Sequence, residues 1–416
     1  MSEVAVAPVQ YKESGVQWLG KIPAHWEVKR IKDLSELQSG ETITSQQLTD
    51  EGYPVYGGNG KRGYFSRYNL QGEYILIGRQ GALCGNINYA SGKFWASEHA
   101  VVVYKDKAVN TVWYGELLRI MNLNQYSLAA AQPGLSVDKI KRLELPFAPV
   151  AEQEAIADYI LDHTAAIDRK IDLLGQKIKL YQTLRKTLIN ETVCRGLHPH
   201  APRKDSGIEW IGEIPAHWQV RRLKDVGRVV LGKMLNNTGK AGYALKPYLK
   251  SKNITWLRPS IKVVDDMYFS PDELLSYRIK KNDLLVSEGG EVGKTCIWND
   301  ELPECYIQNS VHKITILPGN SPQYYLYLSF AMGAVGFYDS IVNQVSIKHL
   351  TWEKFIRVLV LVPPYEEQQA IAEHIEQGTR KIDAVITNLT TQIATLKELR
   401  KTLINDVVTG KLNVTA

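Results

Sequence analysis

The chain lacks a CxxC pair, an apolar stretch long enough to cross a membrane, and any large excess of one charge sign. Its four cysteines, Cys84, Cys194, Cys296 and Cys305, show no paired spacing, which argues against a disulfide framework or a zinc site and for reduced, structural thiols. Apolar runs such as residues 358–362, halted by Pro363 and Pro364, fall far short of the roughly 20 residues a spanning helix needs. The first ten residues, MSEVAVAPVQ, carry neither the basic region nor the apolar core of a secretory signal, so a cytoplasmic protein is expected. Fifty Lys and Arg against 44 Asp and Glu leave a formal charge of +6, compatible with a polyanionic partner without requiring one.

What the chain does have is a duplicated frame. Residues 14–31 (SGVQWLGKIPAHWEVKRI) recur as 206–223 (SGIEWIGEIPAHWQVRRL), 192 positions later. Trp18, Gly20, Ile22, Pro23, Ala24, His25 and Trp26 thereby return as Trp210, Gly212, Ile214, Pro215, Ala216, His217 and Trp218. A second block, residues 152–197, answers to 367–412 at an offset of 215, and RKTLIN stands at both 185–190 and 400–405. The stretches between these blocks have diverged. Two like frames around unlike interiors suit two different readers held in one geometry.

The interiors are expected to be mainly β with short helices. Residues 73–78 (EYILIG) and 100–104 (AVVVY) are apolar, β-branched runs bounded by Gly, Ser and Asn, and 283–287 (DLLVS) and 308–316 (QNSVHKITI) are their counterparts. Helices are predicted at 112–123 and 323–332. The leader tryptophans Trp18 and Trp26, with their copies, are expected to fasten each leader to its domain, and His25 and His217 to be hydrogen-bonded packing residues.

The closing blocks carry a helical period. Apolar residues at Ile156, Ile160, Ile167, Ile171, Leu174, Ile178, Tyr181, Leu184 and Leu188 step by three, four or seven, and the second copy is apolar at every matching position, including Ile375, Ile382, Ile386, Leu389, Ile393 and Leu399. That is a coiled-coil seam. Pro149, and Pro363 with Pro364, mark the helix starts, and Gly196 and Gly410 the stops. With the second interior lying between the two helices in sequence, antiparallel pairing is expected.

These features together resemble the specificity subunit of Type I restriction-modification systems. The resemblance rests on the WxGxIPxHW leaders at 18–26 and 210–218, the helix entries at 149–156 (PVAEQEAI) and 364–371 (PYEEQQAI), and the two RKTLIN blocks. It implies two α/β (α+β) target recognition domains separated by an antiparallel coiled coil of two long helices, with a pseudo-two-fold repeat. The corresponding segments are 1–149, first domain with leader; 150–197, central helix; 198–207, linker; 208–363, second domain with leader; and 364–416, C-terminal helix and tail. It implies a non-enzymatic subunit that reads a bipartite double-stranded DNA target and docks two methyltransferase subunits, and through the complex the restriction and translocase subunits. S-adenosylmethionine, ATP and Mg would then serve those partners, with no cofactor on this chain. A stand-alone DNA-binding scaffold and an elongated protein adaptor are the other readings.

Three catalytic motifs fail on their own residues. GGEVGKT at 289–295 lacks the first Gly of a phosphate-binding loop, since Glu288 stands there, and CIW follows where a helix should begin. VPPY at 362–365 puts Val362 where an adenine-N6 methyltransferase needs a polar acceptor. Cys194, His198 and His200 have no counterpart in the second copy and are taken as linker residues. Basic residues interleaved with aromatics and amides nominate DNA contacts at Lys61, Arg62, Tyr64, Arg67, Arg79 and Gln80 in the first domain, and Lys250, Lys252, Asn253, Arg258, Lys294 and Lys348 in the second. The repeated polar patch Arg185, Lys186, Asn190 and Arg400, Lys401, Asn405 is the expected docking surface for two copies of one partner.

Overall fold

Met1–Gly175 together with Thr391–Ala416 of the computed structural model pack as one unit, and Gln176–Thr390 as a second, so the division falls inside the two long helices. The structure describes residues 10–81, 83–127, 134–342 and 349–414. In the first unit, strands Ser35–Ser39, Ala100–Lys105, Tyr74–Gly78 and Ile87–Ala90 form an antiparallel sheet in that spatial order. Successive side chains along a strand point to opposite faces. Ile75 and Ile77 therefore join a core with Trp26, Trp113, Leu117, Ile156 and Ile404. Leu76 and Val102 pack on Phe94 and Ala96 across the other face, where strand Lys93–Ala96 pairs in parallel with Tyr53–Gly57.

The second unit repeats this plan with Gly227–Leu231, Val311–Ile316, Leu284–Ser287 and Thr295–Ile297 in the same order. Leu284, Val286 and Ile314 face Trp218, Tyr324 and Leu328, while Leu285, Cys296 and Val311 close on Leu249 and Ile307. Strand Tyr306–Ile307 runs parallel to Ala244–Leu249. The expected strand at 308–316 is shortened: residues 308–310 form a turn, because the amides of Gln308 and Asn309 bond to Leu249 O and Lys233 O and draw the chain from one sheet to the other. The expected helix at 112–123 ends at Ile120, followed by left-handed Asn122 and the short 3-10 helix Leu123–Tyr126.

The two long helices are Val150–Arg195 and Tyr365–Val408. Within each unit their halves run antiparallel. In the first, Arg400 Nε lies 2.8 Å from Asp168 Oδ1; in the second, Arg185 Nε lies 3.0 Å from Asp383 Oδ1. Adding 215 to Asp168 and Arg185 produces Asp383 and Arg400, so one ion pair is written twice. Ile160, Ile375, Ile382 and Leu389 are buried, and Ile167, Ile171, Leu174, Ile178, Ile386 and Ile393 are half-buried. The seam expectation needs one correction: Leu184 and Leu399 are 51% and 52% exposed. Approaching each helix's end the inward position passes to the next residue, the Arg185 and Arg400 stems, then to buried Ile189 and Ile404. A straight helix repeats every 3.6 residues and drifts off a strict seven-residue stripe.

Each helix entry is bolted to its domain by the residue pair Glu-Gln. Glu152 accepts from Trp26 Nε1 at 2.8 Å and pairs with His25 Nε2 at 2.6 Å, and Glu367 pairs with His217 Nε2 at 2.8 Å. Gln153, wholly buried, accepts from the Asn110 amide that opens helix Thr111–Ile120 and donates to Ala148 O. Gln368 makes the same two bonds, from the Ser321 amide and to Pro363 O. Trp26 and Trp218 thus pack as expected, while His25 and His217 are hydrogen-bonded but exposed and do not pack in the core. Gly196 and Gly410 end the helices at φ +73° and +72°, and each also lies against a leader tryptophan, Trp218 and Trp26, where a Cβ would sit 3.1 and 3.0 Å from the ring.

Replacing Gln153 or Gln368 with Ala strands a buried amide and a carbonyl, so each variant should lose about 2–4 kcal/mol of stability. Chemical denaturation combined with hydrogen exchange should locate the loss in the unit that holds the substitution; a change of under about 0.5 kcal/mol would show the glutamine to be peripheral.

Candidate nucleic-acid interface

At one end of each domain the sheet turns converge on a short segment, 97–99 in the first and 308–310 in the second. In the first domain the amides of Gly40 and Glu41 bond to Ala100 O and Ala96 O, Ser97 N to Tyr56 O, Arg79 N to His99 O, and Leu135 N to Arg79 O. In the second, Gly232 and Lys233 bond to Val311 O and Ile307 O, Gln308 N to Leu249 O, Glu288 N to Ser310 O, and Leu350 N to Glu288 O. All five bonds recur between corresponding residues. Close approach requires glycine at two of these positions: a Cβ on Gly40 would lie 2.2 Å from Ala96 O, and one on Gly232 would lie 2.4 Å from Gln308 C.

The backbone frame is shared, and its side chains are not. Arg79 occupies the place of Glu288, Glu41 that of Lys233, residues 57–58 (Gly-Gly) that of 250–251 (Lys-Ser), and 97–99 (Ser-Glu-His) that of 308–310 (Gln-Asn-Ser). Such a device presents different chemistry from equivalent positions.

The nominated residues distribute unevenly over this frame. Arg79 stands on it, its backbone held on both sides and its Nη1 donating to Ser39 Oγ at 3.0 Å; Gln80 is exposed beside it. Lys61 and Arg62 are exposed on strand Gly60–Phe65, whose hairpin with Tyr53–Gly57 leads into the frame. Lys61 Nζ lies 3.8 Å from the centre of the Tyr64 ring. Arg67 is exposed but makes none of the frame bonds. Among the described residues no carboxylate pairs with Lys61, Arg62, Arg67 or Arg79.

The second domain differs electrostatically. Lys250 is paired with Asp265, a contact that raises the lysine pKa and lowers the aspartate pKa. Lys294 is paired with Glu291, Lys233 with Glu273, and Lys246 with Glu304. Lys252 and Arg258 are exposed, Arg258 in a turn that contributes no frame bond. Lys348 lies outside the described residues.

Asn253 is a correction. It is only 3% exposed, donates to Ser260 O and Val263 O, and accepts from the Lys250 amide, so it builds the turn instead of facing a ligand. A glycine-free turn that reverses after Ser251–Asn253 needs a side-chain amide to satisfy its backbone.

Of the docking residues, Arg185 and Arg400 are a second correction, since their guanidinium groups face the neighbouring helix in the ion pairs described above. Lys186 and Lys401 are exposed, and Asn190 and Asn405 half-buried. The motif at 289–295 forms a β-turn loop: Ser287 N bonds to Lys294 O and strand Thr295–Ile297 follows, with no helix to receive a phosphate. All four cysteines are free and buried, and burial pushes the Cys194 thiol up to about 12. Among the described residues no group of His, Cys, Asp and Glu is placed to hold a metal, and no helix is long and apolar enough to cross a membrane.

The sequence marks Glu288 only as the residue that breaks a phosphate-loop motif and 308–310 only as part of a strand, and it does not single out Ser39 or His99. Their role comes from backbone bonds between distant strands, which leave no local pattern; Gln153 and Gln368 stand in the shared EQ of both helix entries, and their burial and bonds are what assign them a role.

Substitution of Asn253 by Ala should therefore destabilise the second unit by about 2–3 kcal/mol through lost buried bonds. Lys252→Ala should leave thermal stability within about 0.5 kcal/mol. Equal melting of the two variants would contradict the structural role of Asn253.

Known proteins carry the same plan. A family model described as Type I restriction modification DNA specificity domain matches residues 23–179 and 215–395. The Type I restriction enzyme EcoprrI specificity subunit of Escherichia coli is 42% identical over 139 residues, 32% of this chain and 34% of that relative. The Type I restriction enzyme MjaIX specificity subunit of Methanocaldococcus jannaschii is 23% identical over 445 residues, covering 97% of both chains. A solved chain from work on complex assembly and conformational transition of the type I R-M system shares the fold with a TM-score of 0.71 at 17% identity, over 94% of this chain and 99% of that one. The HsdS subunit from Thermoanaerobacter tengcongensis superposes with a TM-score of 0.51, also at 17% identity, over 94% and 98%. The two family-model matches fall one on each copy of the frame and together span most of the sequence: the chain belongs to the Type I restriction-modification DNA specificity domain family.

Proposed function

We propose that this chain is the address-reading subunit of a Type I restriction-modification complex: each domain reads one half of a split sequence in double-stranded DNA. The observation that carries this reading is the five-bond turn frame built twice with unlike side chains. A frame that repeats while its side chains change sign and size is what two independent half-site readers require.

The chain acts in the cytoplasm, where the DNA is, and performs no chemistry itself. It docks two adenine-N6 methyltransferase subunits through the long helices, and the ATP-driven translocating endonuclease subunits join through the complex. S-adenosylmethionine, ATP and Mg are used on those partners. Docking draws on the exposed lysines Lys186 and Lys401, which the 215-residue repeat presents in duplicate. Phosphate contact is carried mainly by the first domain, whose Lys61, Arg62 and Arg67 have no acidic partner among the described residues; in the second domain the nominated Lys250 and Lys294 are already paired.

The test is methylation mapping in cells that express the chain with its co-encoded methyltransferase. A motif of two specific parts separated by a constant gap is expected. Methylation at a single unsplit motif, or random duplex binding without any co-purifying methyltransferase, would refute the reading in favour of a stand-alone scaffold.

Within that assay Arg79→Ala should relax one half of the motif only, by about 1–3 kcal/mol of discrimination at one base pair. Lys61→Ala with Arg62→Ala should weaken all sequences alike and flatten the salt dependence by about one to two phosphate equivalents. Equal relaxation of both halves by Arg79→Ala would contradict independent readers.

A further inference from the structure

Glu288 holds the position in the second domain that Arg79 holds in the first: its amide bonds to Ser310 O as that of Arg79 bonds to His99 O, and its carbonyl accepts from Leu350 as that of Arg79 accepts from Leu135. The side chain is 9% exposed, yet among the described residues its carboxylate has neither a hydrogen bond nor an ion pair. Its oxygens are not among the sealed unpartnered atoms, so the carboxylate keeps an open edge while most of the residue is withdrawn from water, a costly placement for a charge that has no donor and one that suits accepting from a group brought to it. Burial raises its pKa, opposed by nearby His349 and reinforced by Glu353.

A phosphate cannot be the missing partner, because a carboxylate repels it. The groups on duplex DNA that can supply a hydrogen to an acceptor-only side chain in the major groove are the exocyclic amines, cytosine N4 and adenine N6. We propose that Glu288 is a specificity-determining residue of the second domain, accepting a hydrogen bond from the exocyclic amine of a cytosine or an adenine in the second half-site. The proposal deepens the DNA-reading function and rests on it.

The two domains then use one backbone position for opposite tasks. Arg79 offers donors, suited to the acceptor edge of guanine, and Glu288 offers acceptors, suited to an amino group. The negative charge also works against unspecific binding, since at any sequence without an amine in reach it meets the DNA unpaired.

The experiment uses the full chain assembled with its methyltransferase, first on the wild-type motif and then with Glu288→Gln and Glu288→Ala. Gln keeps the shape while adding a donor and removing the charge. Expected for both variants is at least about tenfold loss of discrimination at one base pair of the second half-site, an unchanged first half-site, and equal or tighter binding to random duplex at low salt. Probes with cytosine or adenine at that position decide which amine is read. Unaltered discrimination in a folded variant would overturn the proposal, as would uniform weakening on all sequences. Absence of any split-motif binding by the wild-type complex would instead sink the DNA-reading function itself. Thermal melting checks the purely structural alternative: burial strain alone predicts that Glu288→Gln melts higher with its motif intact, and that result also overturns the assignment.

Discussion

The bond between the first turn of each long helix and its domain is the constraint on which the rest of this structure depends. Glutamate at the helix start holds the leader histidine, and the buried glutamine beside it ties the opening amide of the domain helix to the carbonyl before the long helix. A helix entry could otherwise pivot, since an apolar stripe packs without direction. Hydrogen bonds to wholly buried side chains have narrow geometry and a high cost of breakage, so they convert loose packing into a fixed angle.

With the entry fixed, the same unit also receives the end of the other helix. Gly410 lies on Pro23 and Trp26 in the first unit, and Gly196 lies on Trp218 in the second. Trp26 therefore meets the start of one helix through Glu152 and the end of the other at Gly410, whereas Trp218 packs on the helix end at Gly196 and leaves the bond to Glu367 to His217. The duplicated Asp–Arg pairs sit on the helices' facing sides at matching register. Being partly exposed, they contribute to register more than to stability.

Separation of the backbone frame from the side chains it presents explains why so much of the interior could diverge. The strand cores need only alternation and volume, which many sequences meet, and the turn frame is built from backbone groups available to nearly every residue. Side chains at the frame are then free to differ, as Arg79 and Glu288 do. The electrostatic difference follows the same logic: among the described residues the first domain leaves Lys61, Arg62, Arg67 and Arg79 without a carboxylate partner, while the second neutralises Lys233, Lys246, Lys250 and Lys294 locally.

The sequence by itself determined the duplicated frame, the two long helices with their antiparallel seam, their proline and glycine bounds, and the packing of the leaders. These are local periods or repeated words, and local physics reads them. It misplaced Leu184 and Leu399, because a heptad drifts on a 3.6-residue helix, and Asn253, Arg185 and Arg400, because a polar residue in a basic stretch looks the same whether it faces solvent or completes a turn or an ion pair. Only the tertiary structure decided which residues share the turn frame and that Glu288 is the counterpart of Arg79. Those relations arise from backbone bonds between strands far apart in sequence, whose register depends on the closed sheet and has no signature in any single segment.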